Sequence, residues 1–224
     1  MSAETQRRAY LDAIGIEVWT RRSTAEPPPV ADDNAATTTD WEQLRQLVAD
    51  CKRCPLHESR TQTVFGVGSR NAQLMIIGEA PGAEEDRRGE PFVGRAGKLL
   101  DEMLRAIGFS RSDVFIANVL KCRPPNNRDP SAEEAGMCRR HLERQVELLQ
   151  PMLVLAVGRI AAHHLLHTDA PLGQLRGRTH SLNDGKLPLI VTYHPAYLLR
   201  SPTQKRKAWE DLCTVRKLLT ELTP

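Results

Sequence analysis

Four short apolar runs, separated by helical patterns, constrain this chain more than any other feature of it. They occupy residues 73–78 (QLMIIG), 113–119 (DVFIANV), 152–157 (MLVLAV) and 188–193 (PLIVTY). Each is apolar on successive positions, the pattern of strands buried on both faces. Helical periodicity fills residues 95–107, 131–149, 158–167 and 204–221, and Ser131 stands at capping-box spacing from Glu134. Strands alternating with helices predict an α/β fold, a three-layer sandwich around a central, mostly parallel four-stranded sheet. In such a fold ligands bind beyond the carboxyl ends of the strands. The residues that follow each apolar run are therefore the candidates for function.

The N-terminal part reads differently. Residues 1–22 hold a compact apolar stretch: Tyr10, Leu11, Ile14, Ile16, Val18 and Trp19. Such a stretch folds onto a partner or packs on the protein's own surface. Residues 23–40 (STAEPPPVADDNAATTTD) contain three consecutive prolines and many small polar residues. They cannot bury enough apolar surface to offset the cost of ordering the chain, so a disordered linker is expected. The folded domain is expected over residues 41–224, with Asp40 as the N-cap of its first helix. A net charge of +3 permits a nucleic-acid partner without arguing for one. There is no apolar run of membrane-spanning length and no secretory signal pattern at the N-terminus. The expected location is the cytoplasm, where a set of cysteines reads as metal-binding or catalytic before it reads as disulfides.

The chain has five cysteines. Cys51 and Cys54 form a C-x2-C pair at a helix end, Cys122 follows a strand, and Cys138 lies in the next helix. Four thiolates drawn from two separated regions can cage zinc or carry a cubane cluster, and residue chemistry alone leaves both open. Cys213, among Leu212, Val215, Leu218 and Leu219, reads as a small buried hydrophobe.

The motifs at the strand ends carry the rest. Gly78-Glu79-Ala80-Pro81-Gly82 follows the first apolar run and leads through Glu84, Glu85 and Asp86 to Gly89-Glu90-Pro91-Phe92-Val93-Gly94. Asn118 ends the second run, and His194-Pro195-Ala196-Tyr197 follows the fourth. With the cysteine spacing, these segments resemble the iron–sulfur (family 4) uracil-DNA glycosylases over nearly all of the chain beyond the N-terminal tail. The resemblance implies the glycosylase fold and a [4Fe–4S] cluster held by Cys51, Cys54, Cys122 and Cys138. It implies an enzyme that flips uracil out of single- or double-stranded DNA and hydrolyses the N-glycosidic bond. The product would be an abasic site, which starts base excision repair.

The same resemblance assigns roles. Uracil would sit against Gly78, stack on Phe92 and present its edge to Asn118, with His194 donating to its O2. Glu79 would position water or its loop, and Glu85 would crowd a thymine methyl. Family 1 glycosylases have an Asp where this chain has Ala80 and a Tyr where it has Gly82, so water and thymine must be handled differently here. Arg123, Arg176, Arg178, Tyr197 and Arg200 lie in loops or turns after strands and are candidate DNA contacts. A monomer associated with the bacterial nucleoid is expected. Residues 10–19 are similar to the N-terminal segment of the psi subunit of the bacterial clamp loader, which would make a replisome subunit a partner of the tail. Two other functions fit less of the sequence: a catalytically inactive adaptor of the replication machinery, and a cluster-bearing exonuclease.

Overall fold

The structure is a computed structural model that describes residues 40–182 and 185–222. The readings of residues 1–22 and of the linker fall outside those residues, apart from Asp40. Asp40 does cap the first helix, α1 (Trp41–Ala49), its carboxylate accepting from the Glu42 amide at 3.1 Å. After the short α2 (Leu56–Ser59) come an edge strand β1 (Val67–Gly68) and the first core strand β2 (Leu74–Gly78). Then follow α3 (Ala83–Arg88), α4 (Arg95–Ala106), β3 (Phe115–Asn118), α5 (Ala132–Leu149) and β4 (Leu153–Val157). The chain closes with α6 (Arg159–Leu166), α7 (Leu172–Leu175), β5 (Thr179–Leu182), β6 (Leu187–Thr192), α8 (Pro195–Arg200) and α9 (Lys205–Leu222).

The sheet order is β1-β3-β2-β4-β6-β5. The four inner strands, β3, β2, β4 and β6, run parallel and coincide with the four apolar runs. The sheet nevertheless has six strands, not four, because β1 and β5 add antiparallel edges. Neither edge has an apolar run to announce it. β1 is two residues long, and β5 reads Thr-His-Ser-Leu with only partial burial. Short polar edges limit unwanted strand pairing.

Alternate residues of each inner strand feed two separate cores. Met75, Ile77, Ala117, Val154, Ala156, Leu189 and Val191 pack with α1, α5 and α6 on one face. Leu74, Ile76, Ile116, Leu153, Leu155 and Ile190 pack with α4, α8 and α9 on the other. That arrangement makes the three layers, and it explains why every position of β2, β3 and β4 is buried. In α5 the capping box forms as its spacing predicts, Ser131 and Glu134 each accepting from the other's amide. Cys213 departs from expectation: it is exposed. On α9 the inward stripe is Ala208, Asp211, Leu212, Val215 and Leu219, and position 213 is turned about 100° from Leu212. Among the described residues no helix is long and apolar enough to cross a membrane.

Candidate active site

Parallel strands that start together also end together. β2 ends at Gly78 beside Asn118 at the end of β3, and β6 delivers His194 two residues past its own end. These ends open into a pocket of about 490 Å³. Glu79, Glu85, Phe92, Asn118, His194 and Arg200, all picked from sequence, line it, together with Arg128 and Asp129. A wider groove of about 750 Å³ runs between α5 and α6, past His163, His164 and His167. Its walls are mainly helix flanks and hold none of the motif residues, so the strand-end pocket is the better candidate.

Phe92 forms one wall in an unusual way. Its backbone is left-handed, φ 54°, a conformation that is costly for a bulky residue and persists only where the surroundings impose it. Two features impose it here. A Cβ on Gly97 would lie 1.7 Å from the Phe92 carbonyl oxygen, so only glycine lets α4 pass this closely. Arg111 donates to the carbonyls of Phe92 and Pro91 and pairs with Asp101 at 3.2 Å. The Phe92 ring lies 5.6 Å from the His194 ring at 31°, leaving two flat side chains lining one slot.

Asn118 is only 2% exposed, and its Oδ1 has no hydrogen-bond partner. A buried carbonyl oxygen left unpaired costs about 1–3 kcal/mol, so an acceptor in the pocket wall with no protein partner is one that a bound group can satisfy. Gly78 shapes the floor beneath it. A Cβ there would meet Asn118 Oδ1 at 2.4 Å and Phe92 Cζ at 2.6 Å.

The titrating groups are tuned by burial. His194 Nδ1 accepts from the Ala196 amide at 3.1 Å and so caps α8. That bond puts the proton of the neutral ring on Nε2. Burial, with Arg200 second and Glu85 opposing, pulls its pKa down to about 4. At neutral pH His194 is therefore an uncharged donor. Glu79 moves the other way, to about 7, because burial and the nearby Asp129 carboxylate outweigh Arg159. Asp129 in turn pairs with Arg159 at 2.9 Å.

Glu85 is committed to structure: its oxygens accept from the amides of Gly82, Val93 and Gly94 at 3.0–3.1 Å. It ties the loop after β2 to the segment that carries Phe92.

The candidate DNA contacts divide. Arg200 is exposed and lines the pocket. Arg123 bonds Asn127 at 2.8 Å, and Arg178 bonds the Gln174 carbonyl beside an exposed turn. Tyr197 stacks on Tyr193 at 5.1 Å. Arg176 does not fit the role expected of it. Its side chain is 9% exposed, paired with the buried Asp211 and laid over the Tyr193 ring at 4.4 Å. It balances a buried carboxylate inside the fold and is not free for phosphate. Sequence reading also missed residues: Arg111, Asp129 and Arg159 act through contacts 10 to 30 positions away, and no local pattern marks them.

The four expected cysteine ligands line one cavity, with Arg60, Lys121 and His141. Arg60 donates to Cys122 Sγ at 3.0 Å, the Lys121 amide to Cys138 Sγ at 3.3 Å, and His141 Nε2 lies 3.4 Å from Cys51 Sγ. Burial pushes the Cys138 thiol up to about 12. Among the described residues no three His, Cys, Asp or Glu side chains converge closely enough to hold a single metal ion.

A family model described as the uracil DNA glycosylase superfamily matches residues 65–213, the span that contains the pocket and two of the four cysteines. The class of protein is therefore a superfamily member built on a three-layer α/β sandwich. Among curated proteins, the chain is 40% identical to the type-4 uracil-DNA glycosylase of Archaeoglobus fulgidus, over 81% of this chain and 94% of that one. The Pyrobaculum aerophilum type-4 enzyme is 42% identical over 77% of this chain and 91% of its own. The Thermotoga maritima type-4 enzyme is 42% identical over 76% and 92%. This chain belongs to the type-4 uracil-DNA glycosylase family.

Proposed function

We infer that this protein is a uracil-DNA glycosylase that binds uracil-containing DNA, extrudes the uracil and hydrolyses its N-glycosidic bond to leave an abasic site. The observation that carries the reading is the buried, unpaired Asn118 Oδ1, facing a slot walled by Phe92 and His194. An amide matches the uracil edge: its oxygen accepts from N3–H and its NH2 donates to O4. Cytosine presents the reverse pattern and would leave both groups unpaired. A base inside the duplex cannot reach such a slot, so it must be flipped. Incubating the protein with a single-uracil oligonucleotide and treating with alkali tests the reading; an uncut strand refutes it.

The residues divide the chemistry between them. Phe92 stacks on the extruded base over Gly78. Bond cleavage leaves an electron-poor sugar and a uracil anion. His194 donates its Nε2 proton in a hydrogen bond to O2 as that charge grows, and a neutral imidazole keeps the proton while stabilising the anion. Glu79 accepts a hydrogen bond from the attacking water and orients it on the sugar. Glu85 restricts the room for a thymine methyl by fixing the two loops it joins. Arg123, Arg178, Tyr197 and Arg200 contact the DNA backbone around the pocket, and the domain of residues 41–224 does this as a monomer. Retention of Glu79, Phe92, Asn118 and His194 in one pocket favours the enzyme over an inactive adaptor.

Because Glu79 titrates near 7, its carboxylate form grows as pH rises. Excision is expected to rise with pH up to about 7 and to level off above it. Glu79→Gln should flatten that limb and slow the reaction by about 10²-fold or more. An unchanged pH profile in Glu79→Gln would remove the assignment.

Cys51, Cys54, Cys122 and Cys138 would hold a [4Fe–4S] cluster. The donor set is all thiol and surrounds one cavity. Four thiols around one cavity also suit tetrahedral zinc, and it is the resemblance of the motifs and cysteine spacing to the iron–sulfur glycosylases that favours the cluster. When bound, it would cross-link the loop after β3 to the segment between α1 and α2 and to α5, with no redox step required. The expected result is about four irons per chain, with an absorbance band near 400 nm. One zinc per chain and no visible band would overturn it.

A further inference from the structure

Between the cysteine cavity and the pocket lies one buried charge that the mechanism above does not use. Lys121 is 1% exposed and lines the cysteine cavity next to Cys122. Its ammonium donates to the main-chain carbonyl of Asn118 at 2.8 Å and to Gln145 Oε1 at 2.6 Å. Gln145, itself fully buried on α5, donates onward to the Phe65 carbonyl at 2.8 Å. The Lys121 amide meets Cys138 Sγ at 3.3 Å, and its carbonyl accepts from the Val64 amide at 2.8 Å. Both acceptors of the ammonium are neutral.

A buried cation with only neutral acceptors needs an anion nearby to hold it in place. The groups in its surroundings that would supply that charge are Cys122 and Cys138, which line the same cavity and would be thiolates once they ligate the cluster. The same ammonium holds the main-chain carbonyl of Asn118, the residue whose side-chain amide faces the base. We propose that Lys121 is a positioning residue that couples the loaded cysteine site to uracil recognition by anchoring the Asn118 main chain. The ammonium is held between the thiolate-ligated group and the end of β3. Emptying the cysteines withdraws its counter-charge and frees the strand end that aims Asn118. This inference rests on the cluster reading given under Proposed function.

The test uses the full-length protein purified with its metal. Iron content and the band near 400 nm are recorded first for the wild type. Lys121→Met, close in length but neutral, is then compared with it in three measurements. Free uracil binding should weaken about tenfold, while binding to a duplex containing a stable abasic-site analogue stays within about twofold. Removing a cation beside an anionic cluster should also make it easier to oxidise, so the visible band should bleach several-fold faster in air. Finally, in an Asn118→Ala background the Lys121→Met substitution should change uracil binding by less than twofold, because Lys121 acts through that residue.

Should Lys121→Met not accumulate as folded protein, Gln145→Leu, which removes one of the two acceptors, goes through the same comparisons. A variant that keeps its iron and binds uracil within twofold of wild type overturns the proposal. So does one that loses uracil and abasic-duplex binding together, since that is general damage to the fold. A wild-type protein without iron defeats the cluster reading itself, and the coupling with it. That result is distinct from an iron-loaded wild type whose Lys121 variant behaves normally.

Discussion

Truncating His194 to alanine is expected to slow uracil excision by about 10²–10³-fold at neutral pH, the usual cost of losing one preorganised donor to a developing anion. The geometry makes the prediction specific. Nδ1 is occupied by the Ala196 amide at 3.1 Å, so Nε2 alone is available to the base. Burial holds the ring well below its ordinary pKa, near 4, so it is neutral throughout the working range. The donor therefore stays in place without the desolvation penalty of a charged imidazolium. The substitution also removes the cap of α8, which costs about 1 kcal/mol of stability. Single-turnover rates of His194→Ala and His194→Gln, measured beside their denaturant midpoints, separate the two effects. Gln retains a donor and should recover part of the rate. A loss smaller than about threefold in His194→Ala would exclude the ring from transition-state stabilisation.

Adding one methyl group at Gly78 is expected to do comparable damage. The new Cβ would lie 2.4 Å from Asn118 Oδ1 and 2.6–2.7 Å from the Phe92 ring, so both side chains must move. Neither can move freely. Asn118 is at the end of a buried strand, and Phe92 is locked by Gly97 and Arg111. A misplacement near 1 Å costs about 10²-fold in well-oriented catalysis. Gly78→Ala should therefore lose about 10²-fold or more in excision and bind free uracil weakly. Asn118→Ala should lose a similar amount, because it deletes the edge-reading amide altogether. Excision assays on a uracil oligonucleotide, with circular dichroism to confirm folding, decide the matter. If Gly78→Ala cleaves within threefold of wild type, close approach of backbone to base is not what shapes the pocket.

Much of this was legible in the chain because the relevant physics is local or periodic. Strands buried on both faces must be apolar throughout, and β2, β3, β4 and β6 announced themselves that way. Ser131 and Glu134 predicted their own cap. The motif residues Glu79, Glu85, Phe92, Asn118 and His194 were found through their positions after strands and through family resemblance. The edge strands escaped because a polar four-residue strand and a two-residue strand have no signal of their own. Cys213 reads as buried from its neighbours yet is exposed, because neighbours in sequence on a helix are not neighbours in space. Arg176 reads as free because it is a charge in a Gly-rich loop, and its partner, Asp211, comes from a helix 35 positions away.

Fold class, family and the list of chemical groups are readable from the chain alone, because patterning, turns and motif residues are written in consecutive positions. The folded molecule alone sets the state of each group. It made Asn118 Oδ1 an unpaired buried acceptor, placed the proton of neutral His194 on Nε2, raised Glu79 and bound Glu85 to three amides. Protonation, tautomer and accessibility depend on desolvation and on hydrogen-bond partners brought from distant segments, and neither exists until the layers have closed.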